Sequence, residues 1–439
     1  MQLLLLVSLL AACDRTIPSR PDDLEYCMKV LQISHGIYPL SHAGTEIYTA
    51  DLAQALIGRG IDVTVAIPAT AKTSEALSKG QLQPFVVPIE RAPKGRFGNK
   101  LRYATFRGPL WQDELRLLIQ RISPDVIHIQ HAIGFGPTLF EWLEKFGLPL
   151  VITLPDYWLL CPGILRDCDG NVVQCAKLCC ADVQWARFGF AGRLATAIAH
   201  RRRIKRFVAR ARPHLAAISR KTQLIFESEG YPKELIHLHP WGIDVRPLRD
   251  SVRQVSEDPA HTRIGFIGSM RAHKGCHVLA EAFVRSRPIA ASLHFYGGGD
   301  EAYIQTLKQQ FEGPDILFHG RFDHGSAAEI LAGLDVVVIP SIWEESYCLV
   351  AQEALAARKI VIASNTGGLA DRIVHGVNGF LVPPNDAAAL SQEISTIVPR
   401  SREIAQTLDF DRSLLDIGDD AKEWISVYET AISRQPRSG

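Results

Sequence analysis

The sequence predicts an α/β protein in which two Rossmann-like domains, each with a parallel sheet, face each other across a central cleft. Three observations predict this architecture. The chain has 439 residues, which is more than one hydrophobic core usually serves. Short apolar runs alternate with helical segments, the pattern of right-handed crossovers in parallel sheets. The alternation is interrupted between His239 and Thr262, where prolines and mixed charges indicate an interdomain linker.

These observations divide the chain into four segments. Residues 1–27 form an N-terminal extension, 28–243 the N-terminal domain, 244–415 the C-terminal domain, and 416–439 a terminal helix that is placed to pack back on the N-terminal domain. Open parallel sheets bind ligands at the carboxyl ends of their strands, so we expect a shared site in the cleft.

The extension contains an apolar run, Leu3–Leu10, followed by two alanines and Cys13. This pattern is typical of a lipidated export signal, but the positive charges that precede such a run are missing. The alternative is a translation start at Met28, just before the first predicted strand. We expect residues 1–27 to be dispensable.

Each domain shows strands separated by helices at the spacing of βαβ units. The elements predicted in the N-terminal domain are the strand Val30–Ser34, the amphipathic helix Thr45–Ile57 and the strands Asp62–Ile67, Val126–Gln130, Leu150–Leu154 and Leu215–Ile218. The elements predicted in the C-terminal domain are the strands Ile264–Ile267, Leu293–Tyr296, Ile316–His319, Val336–Ile339, Val361–Ala363 and Phe380–Val382 and the helices Val278–Ser286, Ala327–Ala332 and Ala351–Ala357.

The composition is that of an ordinary globular protein. The formal net charge of +1 argues against a global attraction to nucleic acid or membrane. The nine cysteines are too few for a disulfide scaffold. Five of them lie between Cys161 and Cys180 without a Cys-x-x-Cys pair, so a structural metal, one disulfide and free thiols all stay open.

One stretch is locally basic. Val183 to Phe226 contains no acidic residue, and around Arg201–Arg212 arginines alternate with apolar residues at helical spacing. Such a helix suits an anionic membrane surface or a polyphosphate acceptor, and a solvated helix face is an equal alternative. A second basic region runs from Arg91 to Arg107.

The strongest motif follows the strand that ends before Pro340 and continues into a helix. Glu345 lies in the loop and Glu353 in the helix, with seven residues between them, so both carboxylates can face one ligand at the helix start. Backbone amides at a helix start bind phosphates. The amides expected to do so are those of Ser346, Tyr347, Cys348 and Leu349.

A second motif, Gly268–Gly275, also follows a strand and precedes a helix. Lys274 and Arg271 are placed to neutralise a diphosphate, and the glycines allow the backbone to approach it closely.

Three polar loops are predicted in the N-terminal domain. Gly44 opens its first helix, and Asp156 and Tyr157 follow a central strand. His128 and His131 end another strand, and side-chain alternation is expected to place both on one face.

From Met28 to about Asp386 these motifs resemble those of the family 4 retaining glycosyltransferases, which have the B-type fold of two Rossmann-like domains. The resemblance implies that Glu345 is catalytic and contacts hydroxyls of the donor sugar, and that Glu353 holds the ribose of the nucleotide. A carboxylate suits both roles because it accepts two hydroxyl hydrogen bonds at once.

The resemblance assigns the remaining candidates as well. His131 is expected to line the reaction centre as a catalytic residue, and Asp156 and Tyr157 to lie on the acceptor side. Arg321, in a Gly-Arg-Phe loop, is expected beside the nucleotide base. The donor-binding set also includes Gly44, Arg271, Lys274 and the four amides from Ser346 to Leu349.

In the motifs described above, three positions depart from the family pattern. Ser269 stands where many members have arginine, Pro155 where they have histidine, and Ala43 where they have the first of two glycines. We therefore expect Lys274, Asp156 and Gly44 to carry more of the respective contacts.

The implied activity is that of a hexosyltransferase-type enzyme. It would move a sugar, with retention, from a nucleoside-diphosphate sugar to a hydroxyl of a glycan or glycolipid, as in bacterial cell-surface polysaccharide synthesis. Uridine is favoured over guanosine, and neither a cofactor nor a catalytic metal is implied. The enzyme would work in the cytoplasm, at the inner face of the membrane if the basic helix docks there. The alternatives are a sugar-nucleotide epimerase or hydrolase, and an exported sugar-binding lipoprotein.

Overall fold

The computed structural model describes residues 27–68, 85–87, 110–160, 190–251 and 261–434. The export-like run, the cysteine group between Cys161 and Cys180 and the basic region from Arg91 to Arg107 lie outside the described residues. Within them, the expectation of two α/β domains with parallel sheets is confirmed.

The N-terminal sheet has seven strands in the order β3-β2-β1-β4-β5-β6-β7, and each neighbouring pair is parallel. Its central strands are apolar and buried on both faces, which is the rule for parallel sheets covered by helices. The strands are β1 (Lys29–Ile33), β2 (Asp62–Pro68), β3 (Phe85–Val87), β4 (Val126–Ile129), β5 (Leu150–Leu154), β6 (His214–Ala217) and β7 (Ile236–Leu238).

The C-terminal sheet has six parallel strands in the order β10-β9-β8-β11-β12-β13. The order reverses between β8 and β11, and a doubly wound sheet binds its ligand at such a switch point. The strands are β8 (Thr262–Ile267), β9 (Ala291–Tyr296), β10 (Ile316–Gly320), β11 (Val336–Ile339), β12 (Ile360–Ser364) and β13 (Phe380–Val382).

Helices cover both faces of each sheet. Those of the N-terminal half are α1 (Gly44–Ile57), α2 (Leu110–Ile122), α3 (Thr138–Leu143), α4 (Phe190–Ala211) and α5 (Arg220–Ser228). Those of the C-terminal half are α6 (Val245–Ser251), α7 (Cys276–Ser286), α8 (Glu301–Phe311), α9 (Ala327–Ala332), α10 (Leu349–Ala356), α11 (Gly367–Arg372), α12 (Ala387–Ile397), α13 (Ser401–Thr407) and α14 (Ile417–Ser433). No helix among the described residues is long and apolar enough to span a bilayer.

Helix α14 leaves the C-terminal half and packs on α1 of the N-terminal half. Its Asp420 is fully buried and accepts hydrogen bonds from Tyr48 at 2.8 Å and from the amide of Gly242 at 2.7 Å. Trp424 donates to the Tyr48 hydroxyl at 2.6 Å. A buried network of this kind fixes the position of a helix because each unpaired member would be costly.

Two local expectations differ from the structure. Helix α1 is not amphipathic, because its outer face lies under α14 and most of its side chains are buried. Strands β3 and β7 were not predicted because each has only three residues, and helix α5 was not predicted because it carries several polar residues.

Candidate active site

The starts of two helices face each other across the cleft. Gly44 is the first residue of α1, and a Cβ atom built on it would lie 3.5 Å from the side chain of Leu349, the first residue of α10. That distance is an ordinary van der Waals contact, so Gly44 lies on the cleft wall without a steric need for glycine.

Lys274 and Glu345 form the central ion pair of this region. Lys274 Nζ is 2.6 Å from Glu345 Oε1, and the same oxygen accepts from Ser341 at 2.6 Å and from the indole of Trp343 at 3.1 Å. The ammonium also lies 5.1 Å from the centroid of the Trp343 ring, a cation–π geometry. The two signature motifs predicted from the sequence therefore meet in one cluster.

Both members of the pair stay charged although the Glu345 side chain is only 5% exposed and that of Lys274 25%. Burial alone would lower the pKa of Lys274, but the neighbouring Glu345 carboxylate raises it above its ordinary value. Burial would likewise raise the pKa of Glu345, but the charge and hydrogen bond of Lys274 hold it below its ordinary value. Each charge thus stabilises the other where water is largely excluded.

Glycine turns bring the two motifs together. Gly275 has φ of 72°, and a side chain on it would collide with the carbonyl oxygen of Pro340. Gly367 has φ of 56° and packs in the same way on the carbonyl oxygen of Glu345, which also accepts from the amide of Gly368 at 2.6 Å. Only glycine combines this close approach with a left-handed backbone at low cost.

Glu353 occupies the second turn of α10 and is almost completely buried. Burial raises the pKa of this carboxyl to about 7. Its Oε1 lies 3.8 Å from Nε2 of His324. Asp51 of α1 also interacts with Glu353 and His324, and burial raises the pKa of Asp51 to about 6. Carboxyl groups with raised pKa values in a cleft are candidates for ligand contact.

The residues between the two glutamates make different contacts. Ser346 donates from Oγ to the carbonyl of Pro155 in the other half at 2.7 Å. The Tyr347 side chain is buried and its hydroxyl donates to the carbonyl of Trp241. Only the backbone of Tyr347 is therefore left to contact a bound ligand. Cys348 has a left-handed backbone, with φ of 75°, and caps α10 without a side-chain hydrogen bond. The helix therefore begins at Leu349 and directs its first amides into the cleft.

The two arginines proposed for the donor are exposed. Arg271 precedes the 3₁₀ turn that carries Lys274. Arg321 follows β10, and its side chain packs on Gly298. Both guanidinium groups are therefore accessible to a ligand.

His131 and Asp156 form a pair on the wall of the N-terminal half. Nε2 of His131 is 3.0 Å from Asp156 Oδ2, and Nδ1 accepts from the amide of Ile133 at 3.0 Å. The ring is therefore in the Nε2–H form with both nitrogens engaged. Asp156 also accepts from the amide of Trp158 at 2.8 Å, whereas Tyr157 is buried.

The expectation that His128 and His131 share a face was wrong. His128 is fully buried and bonds to Thr153 at 2.8 Å and to Tyr428 of α14 at 2.7 Å, away from the cleft. Alternation has a period of two, so His128 shares its face with Gln130, whose amide approaches it at 3.4 Å.

Two contacts of the cleft were missed from the sequence. His35 pairs with Glu46 at 3.1 Å. The Tyr38 hydroxyl donates to Asp323 of the other half at 2.7 Å. Glu46 could have been noticed because it lies two residues after Gly44, whereas the contact of Tyr38 has no local signal.

A further contact across the cleft involves the start of α5. The amide of Lys221 donates to Asp371 at 2.9 Å, and its ammonium lies 3.1 Å from Glu344. Asp371 and Glu344 belong to the C-terminal half, so this helix start is held by the other domain.

The basic helix α4 is largely neutralised by acids of its own half. Ile204, Phe207 and Val208 are buried, so its apolar face packs inward. Its ion pairs are Arg201 with Glu229, Arg203 with Glu141 and Arg210 with Glu144. No group of three or more metal-ligating side chains occurs in the described part of the chain.

Comparison with known proteins follows the division into two halves. A family model described as Glycosyltransferase Family 4 matches residues 42–246, and one described as Glycosyl transferases group 1 matches residues 261–399.

Individual relatives match over part of their length. Granule-bound starch synthase 1 of Pisum sativum is 34% identical over 28% of this chain and 21% of its own. A lipopolysaccharide 1,2-N-acetylglucosaminetransferase of Salmonella typhimurium is 26% identical over 39% of this chain and 49% of its own. The chain thus spans less than half the length of these two relatives.

A solved structure matches over the whole fold. The Anabaena protein HepE, in complex with UDP and glucose, is 19% identical, with a TM-score of 0.66 over 92% of this chain and 100% of that one. At this identity the likeness establishes the B-type fold of two Rossmann-like domains.

Proposed function

The chain belongs to the glycosyltransferases of family 4 and group 1, and from this premise we propose that it transfers a sugar from a nucleoside-diphosphate sugar to a hydroxyl of a glycan or glycolipid. Transfer would retain the anomeric configuration. The observation that carries the proposal is the ion pair of Lys274 with the buried Glu345 beside the start of α10, because it combines a cation for a diphosphate with a carboxylate for sugar hydroxyls.

The donor is assigned to the C-terminal half. Lys274 and the amides that begin at Leu349 neutralise the diphosphate, with Arg271 available from the adjacent turn. A helix start contributes about 0.3–1 kcal/mol when exposed and up to ~2 kcal/mol when partly buried, so the cations supply most of the stabilisation. Glu353 accepts the ribose hydroxyls, and Arg321 lies toward the base. Uridine is favoured because the structurally similar Anabaena protein binds UDP.

The acceptor is assigned to the N-terminal wall. Asp156 keeps lone pairs for an acceptor hydroxyl, and His131 holds it in place through Nε2–H. In a retaining front-face transfer, the bond from the anomeric carbon to the phosphate oxygen breaks as the bond to the acceptor oxygen forms on the same face. The departing phosphate oxygen takes the acceptor proton, so the protein contributes preorganised charge rather than a separate base.

The cellular setting is a secondary part of the proposal. A donor of this class is made in the cytoplasm, so we expect the enzyme to work there, in the synthesis of a cell-surface polysaccharide. Arg202 and Arg206 are exposed on α4 and are the candidates for a peripheral contact with anionic lipid.

A donor screen followed by a transfer assay tests the function. The full chain is first mixed with uridine- and guanosine-diphosphate sugars, and the true donor is expected to raise the melting temperature. It is then incubated with sugar acceptors, and the product's anomeric proton signals report retention or inversion. Donor turnover without acceptor would favour an epimerase or hydrolase, and the absence of any nucleotide binding would contradict the proposal.

Glu345→Gln is the decisive variant. We expect kcat to fall roughly 100-fold or more, because a neutral amide cannot replace the charge of the carboxylate in stabilising the transition state. Folding should be retained, since the glutamine oxygen can still accept from Ser341 and Trp343. Glu329→Gln, an exposed position on α9, is the matched control. Near-normal activity of a folded Glu345→Gln protein would remove this residue from the site.

A further inference from the structure

Four side chains form a row on the N-terminal wall of the cleft, and donor binding does not account for it. Glu46 and Asp156 end the row, and His35 and His131 lie between them. Glu46 Oε1 is 3.1 Å from His35 Nε2, and His131 Nε2 is 3.0 Å from Asp156 Oδ2. The two imidazole rings have centroids 4.6 Å apart and meet edge to face at 64°.

Both ends of the row are close in sequence to residues that contact the segment Ser346–Leu349 of the other half. Glu46 is in the first turn of α1, whose first residue packs near Leu349. Asp156 directly follows Pro155, whose carbonyl accepts from Ser346. The row therefore lines the wall opposite the start of α10, where the acceptor must approach.

Glu46 is an ionised group in a buried position. Its side chain is only 7% exposed. Burial would raise its pKa, but the hydrogen bond and charge of His35 hold the pKa below the ordinary value. Gly36 makes the arrangement possible, because a Cβ there would collide with Ser41 and crowd Glu46. A buried carboxylate without its partner is strongly destabilising, so Glu46 fixes the position of His35.

His35 in turn contacts His131 through its ring alone. Both nitrogens of His131 are already engaged, by the amide of Ile133 and by Asp156. An edge-to-face contact between rings has a preferred geometry. The His35 ring therefore packs against the His131 ring, and Asp156 is held both by His131 and by the amide of Trp158.

We propose that Glu46 and His35 are a positioning pair for the acceptor side of the cleft. Glu46 fixes His35, the His35 ring fixes His131, and His131 directs Asp156 toward the acceptor hydroxyl. The link to the acceptor rests on the proposed function, whereas the coupling between Glu46 and His131 is a property of the row itself.

The coupling is tested without any substrate. In the full chain labelled with ¹⁵N-histidine, the ring signals of His131 are identified by their loss in His131→Gln. Glu46→Gln is expected to shift those signals although it does not touch His131, and Glu329→Gln is expected to leave them in place. Unchanged His131 signals in folded Glu46→Gln would overturn the proposal.

The functional role is tested by kinetics. His35→Gln keeps an N–H that can reach Glu46 but removes the ring. We expect kcat to fall roughly 10- to 100-fold in His35→Gln and in Glu46→Gln, because a small misplacement near the reacting atoms costs up to about 100-fold. The dissociation constant for UDP should stay unchanged, because the nucleotide is assigned to the C-terminal half.

The double variant distinguishes a positioning pair from two separate structural residues. If the two residues act as a unit, Glu46→Gln combined with His35→Gln is no slower than the slower single variant. Additive losses, or a lower melting temperature with normal kcat, would overturn the positioning role. If the wild-type chain transfers no sugar at all, the proposed function fails, and the ¹⁵N experiment still decides the coupling.

Discussion

The Lys274 ammonium is paired with the buried carboxylate of Glu345, and this determines what removal of the lysine does. Glu345 would be left as a buried charge with two neutral donors. Removing one partner of a buried ion pair typically lowers the free energy of unfolding by roughly 3–5 kcal/mol, whereas replacing both partners costs far less. A loss of stability and a loss of phosphate binding must therefore be measured separately at this residue.

Lys274→Ala is expected to weaken binding of free UDP about tenfold or more, equivalent to roughly 1.4 kcal/mol, because the ammonium is assigned to the diphosphate. Titration calorimetry with UDP measures this. The double variant Lys274→Ala with Glu345→Gln removes the unpaired charge and should regain stability without regaining affinity. Lys422→Ala, on the exposed face of α14, is the control. An unchanged affinity in Lys274→Ala would make this lysine purely structural.

Glu353 predicts a pH dependence with opposite signs for stability and binding. Its folded pKa of about 7 lies above the ordinary value of 4.5, so the folded state holds a proton that the unfolded state has released. The free energy of unfolding is therefore lowered as the pH rises from about 4.5 to 7, by on the order of 1–3 kcal/mol. Glu353→Gln should not show this pH-dependent loss of stability. The difference in melting temperature between the variant and the wild type should therefore shift in favour of the variant as the pH rises from 5 to 8.

Binding of UDP to the wild type should strengthen over the same range, because only the ionised carboxylate accepts both ribose hydroxyls. Calorimetry at pH 6 and pH 8 measures it. Asp51 and His324 titrate nearby, so the comparison with Glu353→Gln isolates the glutamate. A Glu353→Gln protein with the wild-type pH profile would contradict the assignment.

Residue spacing predicted part of this site and missed another part. Glu345, Glu353 and Lys274 lie in two motifs with strand and helix neighbours, so local pattern was sufficient. The contacts that His35 and Tyr38 make with their partners depend on how the loop after β1 folds back. Sequence periodicity does not predict the path of such a loop. The side-chain alternation argument for His128 failed because the two histidines are an odd number of residues apart.

At the scale of elements, the charged side chains of α4 differ in how far they are exposed to solvent. Arg201 pairs with Glu229, whose side chain is 2% exposed, whereas its neighbour Arg202 is exposed on the surface. The three successive arginines, Arg201 to Arg203, therefore do not make one basic surface. The buried face of the helix belongs to the N-terminal core.

Arg201→Gln is expected to lower the free energy of unfolding by about 3 kcal/mol or more, because it leaves a buried carboxylate unpaired. Arg202→Gln should be neutral within about 0.5 kcal/mol. Chemical denaturation of both variants measures the difference. Equal stability of the two would show that Arg201 is as solvated as its neighbour.

The membrane contact is tested on the same helix. The two exposed arginines, Arg202 and Arg206, contribute roughly 1 kcal/mol each near an anionic surface, so flotation with anionic vesicles should be weak and salt-sensitive. Arg202→Gln with Arg206→Gln should abolish it. Strong flotation that survives this change would place a membrane contact elsewhere on the chain.

The central strands were predicted nearly to the residue, since they are continuous apolar runs between turn signals. The starts of helices were less accurate, because α7 and α10 begin earlier than their apolar pattern indicates. At both starts a left-handed residue, Gly275 or Cys348, sets the boundary, and that conformation follows from contacts between loops rather than from propensity.

At the scale of the whole molecule, the two halves are connected around the cleft. Tyr38 bonds to Asp323 on one side, and Ser346 bonds to Pro155 near the centre. Asp323 is followed by His324, which lies near the proposed ribose carboxylate. Closure of the halves and nucleotide binding therefore share residues.

Tyr38→Phe keeps the ring contacts of Tyr38 and removes only its hydroxyl. We expect it to raise the dissociation constant for UDP about two- to fivefold, the effect of roughly 0.5–1 kcal/mol from one hydrogen bond. Asp323→Asn should act similarly, and the double variant should equal the single ones. Tyr296→Phe, within the C-terminal half, is the control. Fully additive effects would mean that the two side chains do not act as one contact.

The contact of Lys221 with Asp371 has a consequence for observing the cleft. Helix α5 obtains one first-turn cap from its own Ser219, which accepts from the amide of Thr222, and another from a carboxylate of the opposite domain. The amide of Lys221 can therefore lose its partner without any unfolding, simply because the halves separate. Hydrogen–deuterium exchange at this one position, compared with the self-capped Thr222 beside it, would give the frequency with which the two halves part.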